Sequence, residues 1–386
     1  MIKTAFACLA LGLSLGILSP TPLHAAEPLP RKTENLSFRN EIQLAIDRGL
    51  GALKTQQTAE GHWSNAEHPA LTALPLIAFH REPTGAYRAG NQEFLKKGYA
   101  FIRSKAQPDG GIYGRGLSNY NTSLALVALL NSGEPKDELL LANARAFIVR
   151  QQAKGMAVES LDGGIGYGLT GVSPKRQHPD LDNTLVALEA LRSYRAARPT
   201  AEIPAQDDLN WQAAIDFISR TQNLPSHNPK ASTDPANKGG FVYYPGYSNA
   251  DAPEGPKALR SYGSMTYAGL LSFIFADLQK HDPRVASALE WLGNNFSIDE
   301  NPGLGRAGLY YYYHLMSKAL VAAGVEELAL ADGKKVAWAP LLAKKLLDLQ
   351  LGDGSWANDT ARWMEKDPAL VTSYCVLTLE LIYHQL

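Results

Sequence analysis

The stretch His178-Pro179-Asp180-Leu181-Asp182-Asn183-Thr184 sets two carboxyl groups and a carboxamide directly ahead of an apolar run over 185–191. Carboxyls that share one site cannot both ionise cheaply, so their titrations split and one is kept protonated as a proton donor. The same residues also have the form of a capped helix start, since Asp and Asn side chains accept hydrogen bonds from first-turn amides. Both readings stand on the sequence alone.

Further polar and aromatic residues sit just ahead of, or at the start of, other apolar runs: His68 and Thr72; Asn119, Tyr120 and Asn121; Arg260, Tyr262 and Ser264; and Trp363, Glu365, Asp367 and Thr372. Tyr310-Tyr311-Tyr312-Tyr313-His314 is the least ordinary run. Four successive tyrosines on a helix point in every direction, so some, with Tyr311, Tyr312 and His314 as candidates, face a pocket and others a packing partner. Arg260 is placed to clamp an anion through two parallel hydrogen bonds, or to pair with an acid such as Asp180 or Asp367. Trp363 is costly to leave in water and reads as a lid.

These residues make a site only if the elements carrying them converge. Gly-rich turns recur at Gly61-His62-Trp63, Gly111-Ile112-Tyr113, Gly164-Ile165-Gly166-Tyr167, Gly240-Phe241-Val242-Tyr243, Gly303-Leu304-Gly305 and Gly354-Ser355-Trp356. Three of them share Gln-x-x-x-Gly-x-aromatic: Gln57 to Trp63, Gln107 to Tyr113 and Gln350 to Trp356. An amphipathic helix precedes each turn and a helix apolar nearly all round follows it, and a helix without a polar face is buried. The pattern therefore predicts an all-α chain, an (α/α)6 toroid whose six inner helices start at one end. That end gathers the candidates at one mouth, and its parallel helix N-termini favour an anionic group.

Through this repeat the chain from about 41 to 383 resembles the terpenoid-cyclase and protein-prenyltransferase superfamily, in particular its squalene-cyclase branch. The resemblance implies a structural role for Gln57, Trp63, Gln107, Tyr113, Gln350 and Trp356. It also relates 180–184 to the Asp-x-Asp-Asp-Thr segment of squalene-hopene and class II diterpene cyclases. By position Asp182 is then the acid that protonates an alkene or epoxide, assisted by Asp180 and by Asn183, which stands where the family has its last acid. The family's cyclases also carry a second helical domain that a chain of this length lacks.

Residues 1–26 have a basic start, an apolar run and small residues at Ala25 and Ala26, the form of a secretory signal peptide. We expect 27–37 to be a linker and 38–386 the toroid domain. The expected location is therefore exported, periplasmic or extracellular, with no transmembrane segment in the mature chain. Cys8 leaves with the signal, and Cys375 alone cannot form an intramolecular disulfide. Charges nearly cancel, 37 basic against 38 acidic, which argues against nucleic acid as a partner. No cofactor and no metal are expected: Cys375 has no carboxylate at the spacing of the prenyltransferase zinc site, and Cys-Gly-Glu-Gln, Gly-x-Ser-x-Gly and His-Glu-x-x-His are absent.

Two functions follow as expectations. One is acid-initiated isomerase or cyclase chemistry on a hydrophobic small molecule in a central pocket. The alternative is a non-catalytic protein holding a glycan, peptide or small anion at the mouth. A polysaccharide-active enzyme would need two carboxyls about 5–10 Å apart, with Asp182 paired to Glu365 or Asp367.

Overall fold

The computed structural model describes residues 35–386 apart from 169–172, 174–175, 201 and 255–256. The expected signal peptide lies outside the described residues, as does the linker up to 34. The first helix begins at Leu36, two residues ahead of the expected domain start.

Six outer helices, α1 (Leu36–Gln56), α3 (Glu93–Ser104), α5 (Glu138–Arg150), α7 (Trp211–Thr221), α9 (Pro283–Asn294) and α11 (Trp338–Leu349), alternate with six inner ones. These are α2 (Ala70–Arg81), α4 (Ser118–Ser132), α6 (Leu181–Ala197), α8 (Gly263–Phe275), α10 (Leu309–Ala322) and α12 (Pro368–Tyr383). The outer helices bury one stripe, as α3 does with Leu95, Tyr99 and Ile102, whereas α12 is buried at every position from Ala369 to Glu380. Each inner helix packs on the next in chain order, and α12 returns to pack on α2 and α1. The ring is closed. No described helix is long and apolar enough to cross a membrane.

The repeat is held by a recurring set of hydrogen bonds. Gln57 Nε2 donates to the Gly61 carbonyl of its own turn at 2.8 Å and to Phe94 O of the next outer helix at 2.9 Å. Gln152 and Gln222 do the same for their turns, and Gln350 closes the circle by reaching Gly354 O and Ala45 O, both at 2.9 Å. A threonine near the start of the following inner helix then accepts the turn's amide: Thr72 from Trp63, Thr122 from Ile112, Thr184 from Ile165, Thr266 from Phe241 and Thr372 from Trp356. Thr184 is thus scaffold. Trp63 and Trp356 are fully buried and donate their indole N–H to Leu53 O and Leu346 O, as the resemblance implies.

Glycine has a steric reason at the closure. Gly354 has φ +89°, and a Cβ there would stand 2.5 Å from Arg48 O on α1. Only the missing side chain lets the last turn rest on the first helix.

Two short antiparallel ribbons interrupt the helices. One pairs β3 (Glu327–Ala329) with β4 (Lys335–Ala337); the other pairs β1 (Ile165–Gly166) with β2 (Pro179–Asp180), with Ile165 opposite Asp180. Alternating hydropathy does not announce pieces this short. The second ribbon matters here, because it fixes the residues that lead into α6.

Candidate functional site

A cavity of about 360 Å³ opens at the end where the inner helices begin. Asp182, in the first turn of α6, stands in its wall with Tyr120, Tyr167, Tyr243, Tyr262, Tyr311 and Tyr374. Met265, Leu71 and Leu370 add apolar surface. Of the acids singled out in the sequence, only Asp182 lines this space.

The order of the acid segment follows from capping. Asp180 is fully buried and caps α6, its Oδ1 accepting from Asn183 N at 2.8 Å, while Asn183 Nδ2 donates to both of its oxygens at 3.1 and 2.9 Å. Asn119 Nδ2 donates to Asn183 O at 3.0 Å. The cap and the acid are therefore different residues, so the two readings of the segment are both satisfied. Tyr311, across the lumen on α10, donates its hydroxyl hydrogen to Asp182 Oδ1. Among the described residues Oδ2 has no hydrogen-bond partner, which leaves it to carry a proton.

Burial raises the Asp182 carboxyl above its ordinary range, against the Tyr311 hydrogen bond and the charge of Lys318, which lower it. Asp180 is also pushed up, by burial first and by the charge of Asp182 second. Around them burial lifts the phenols of Tyr243, Tyr262, Tyr311 and Tyr374 far above their usual value, so they stay neutral donors. Tyr167 and Tyr243 share a hydroxyl contact of 3.0 Å.

Of the expected ligand-binding residues, His68, Tyr120, Asn121, Tyr262, Tyr311 and Trp363 line the cavity. Asn121 is already committed there: its Oδ1 caps α2 through Ala70 N at 3.1 Å and its Nδ2 donates to Gly116 O at 3.1 Å. Burial lowers the His68 imidazole, so it is neutral at pH 7. Trp363 lies at the rim, 44% exposed, with φ 53°, and the Arg362 guanidinium lies 4.1 Å over its ring.

Five expectations need correction. Arg260 is exposed and off the cavity; its amide bonds Asp251 and its carbonyl accepts from Ser248, and neither Asp180 nor Asp367 is its ion-pair partner. Tyr312 points outward and donates to Ser297 O at 2.8 Å. His314 is buried below the cavity and stacks on Tyr374, ring centroids 5.3 Å apart. Glu365 is completely buried and accepts from Tyr311 N at 2.8 Å and from Asn358 Nδ2 at 2.6 Å, a carboxylate turned onto the start of α10. Asp367 caps α12 and takes a bond from Ser64. Glu365 and Asp367 are therefore spent on helix ends, and the two-carboxyl arrangement for polysaccharide hydrolysis is not built.

Tyr167, Tyr243, Tyr374 and Arg176 line the cavity without having been singled out. Tyr167 and Tyr243 end Gly-rich turns in which Ile165 and Phe241 take the buried place held elsewhere by Trp63 and Trp356. Those two turns run two residues further and carry a tyrosine into the lumen, and their extra length was the available signal.

No family model matches the chain. Over 150 residues, 35% of the chain, it is 26% identical to "Terpene cyclase/mutase ntnI" from Nectria sp, and the chain matches only 20% of that protein's length. Among solved structures it is similar to the type II terpene cyclase MstE from Scytonema, with a TM-score of 0.53 and 13% identity over 90% of this chain and 99% of that one. A point variant of MstE, matched equally well, is in complex with its substrate, geranylgeranyl dihydroxybenzoate. A protein from Actinoplanes matches at a TM-score of 0.50 and 15% identity, covering 89% of this chain and all of the other. The structures show the fold: the chain is all-α with the toroid architecture of type II terpene cyclases. Together with the Nectria relative they support a terpenoid-cyclase-type superfamily for the chain.

Proposed function

We propose that the chain is an exported enzyme of the terpenoid-cyclase type, in which Asp182 protonates a carbon–carbon double bond or epoxide of an isoprenoid held in the cavity. The observation that carries this reading is the position of Asp182: among the described residues it is the one acid in the wall of a tyrosine-lined, largely apolar space, with its carboxyl held toward the protonated form. Protonating an unactivated alkene asks for an acid that keeps its proton until substrate arrives and then releases it into a medium without competing water. In the step itself the Asp182 O–H bond breaks and the π pair forms a C–H bond. The neighbouring carbon is left as a cation, which the next double bond attacks. Loss of a proton from the final cation ends the sequence, so no redox partner is consumed. The ring faces of the lining tyrosines carry negative charge density suited to that passing cation.

The test is incubation with geranylgeraniol and with squalene in deuterium oxide, followed by mass spectrometry. A cyclised isomer carrying one deuterium from the acid supports the proposal. Recovery of both compounds unchanged and free of deuterium, beside measurable binding, would instead make the chain a binding protein.

Export belongs to the same proposal and rests on the form of residues 1–26. Expression with the full leader should give a mature N-terminus just after Ala25 or Ala26 in the periplasm or medium, read by mass spectrometry of the intact protein. A chain retained in the cytosol with Met1 still present contradicts it.

A further inference from the structure

Below the cavity the lumen is crossed a second time. Lys318 on α10 and Glu189 on α6 form an ion pair, each side chain 13% exposed. The arrangement repeats the one above it: Asp182 and Tyr311 are 129 residues apart in the chain, and so are Glu189 and Lys318. Seven helical residues separate the two crossings on each helix, a rise of about 10 Å. The helices α6 and α10 each pack on α8 from opposite sides, so both crossings span the lumen. Neither Lys318 nor Glu189 lines the cavity. Two desolvated charges there cost more than a well-packed apolar pair would, and the fold alone gives no reason for them.

We infer that Lys318–Glu189 is a positioning pair, which directs the field of its positive end at Asp182 and so strengthens that residue as a proton donor. The inference rests on the reading of Asp182 as an acid, and it answers a problem that reading raises. Burial keeps the proton on Asp182 but by the same means makes the carboxyl a weaker acid. A cation about two turns deeper stabilises the carboxylate left after transfer without forming an ion pair that would strip the proton beforehand. The lowering influence of Lys318 on Asp182 agrees with this placement.

Other groups also face Asp182. From α4 comes Tyr120, from α12 Tyr374, from α10 Tyr311 and from the start of α8 Tyr262, while Arg176 lines the same cavity wall. From its own end of α6 comes Asp180, with Tyr167 and Tyr243 behind it on the loops. The charge of Lys318 lowers the Asp182 carboxyl, so changes there have a definite sign.

The experiment follows the titration of Asp182 directly, by carbon-13 NMR of labelled aspartate carboxyls, with Asp182→Asn supplying the assignment. Lys318→Arg keeps the charge and should leave the midpoint in place. Exchanging the pair, Lys318→Glu with Glu189→Lys, keeps the ion pair and reverses its field. The midpoint should then rise by a few tenths of a pH unit, roughly the size expected when a close pair about 10 Å away in a protein interior reverses its ends, whose fields partly cancel. If the exchanged chain does not fold, Lys318→Met with Glu189→Leu removes both charges, and the midpoint should again rise. An unchanged Asp182 midpoint in the exchanged or the neutral pair overturns the inference and leaves the pair a structural strut. Because the readout needs no turnover, failure of the isoprenoid reading would appear separately, as an Asp182 that responds as stated in a chain that converts neither geranylgeraniol nor squalene.

Discussion

Asp182→Asn removes turnover and leaves the fold standing. The substitution exchanges a carboxyl for a carboxamide of nearly the same volume, so the cavity wall keeps its shape and Oδ1 still accepts from Tyr311. What disappears is the acidic proton. General acids contribute about 10²- to 10⁴-fold, and here the first bond change depends on that one proton, so a loss of at least about 10³-fold in kcat is expected. Asp180→Asn should cost less, because Asp180 holds the start of α6 through Asn183 and does not reach the cavity. Turnover in Asp182→Asn within tenfold of the parent would transfer the role elsewhere.

The same variant has a stability signature whose sign is fixed. The folded-state carboxyls of Asp180 and Asp182 both titrate above their unfolded values. Their contribution to stability is therefore fully present below the unfolded pKa, near 4, and is lost as pH rises through the folded values. Asp182→Asn removes one of these groups. Its melting temperature should match or exceed that of the parent at pH 8, and the gap should close toward pH 4. A variant less stable at pH 8 by several degrees would mean that the ionised carboxylate is a favourable part of the fold, which the burial of this site contradicts.

The architecture was legible in the sequence because it is written several times over. A glutamine, a turn glycine and an aromatic recur at fixed offsets; Gln57 and Gln350 use the same pair of acceptors, a turn carbonyl and the next outer helix, while Gln107 stays within its own turn on Tyr113 O. The acid was legible through the likeness of 180–184 to a known segment. The rest of the mouth was not, since a place just before an inner helix does not say which way a side chain turns. Asn121, Glu365 and Asp367 satisfy that rule and turn onto helix amides, whereas Tyr120 and Tyr311 satisfy it and face the lumen. The deeper crossing was hidden for a different reason. Lys318 and Glu189 each stand alone as a charge within an apolar stretch of sequence, and only the closed ring brings residues 129 positions apart into contact.

Glu365 shows how closely these structural carboxylates bear on the chemistry. It is fully buried and accepts from Tyr311 N, a first-turn amide that α10 itself cannot satisfy, and from Asn358 Nδ2. Glu365→Ala strands both donors in the interior. At 1–3 kcal/mol for a buried group left without its partner, a loss of about 3 kcal/mol or more is expected, seen as a melting temperature lower by about 5 °C or more. Glu365→Gln keeps one acceptor oxygen and should recover most of it. The effect also travels along α10, because the residue whose amide Glu365 holds is the one whose hydroxyl bonds Asp182. With Tyr311 loosened, Asp182 loses a bond that favours its charged form, and its titration midpoint should rise. Tyr311→Phe separates the two effects: the midpoint rises as in Glu365→Ala while the start of α10 stays capped, so the melting temperature falls much less. Equal destabilisation by the two substitutions would show that the hydroxyl of Tyr311, and not the capped helix start, carries the stability of this wall.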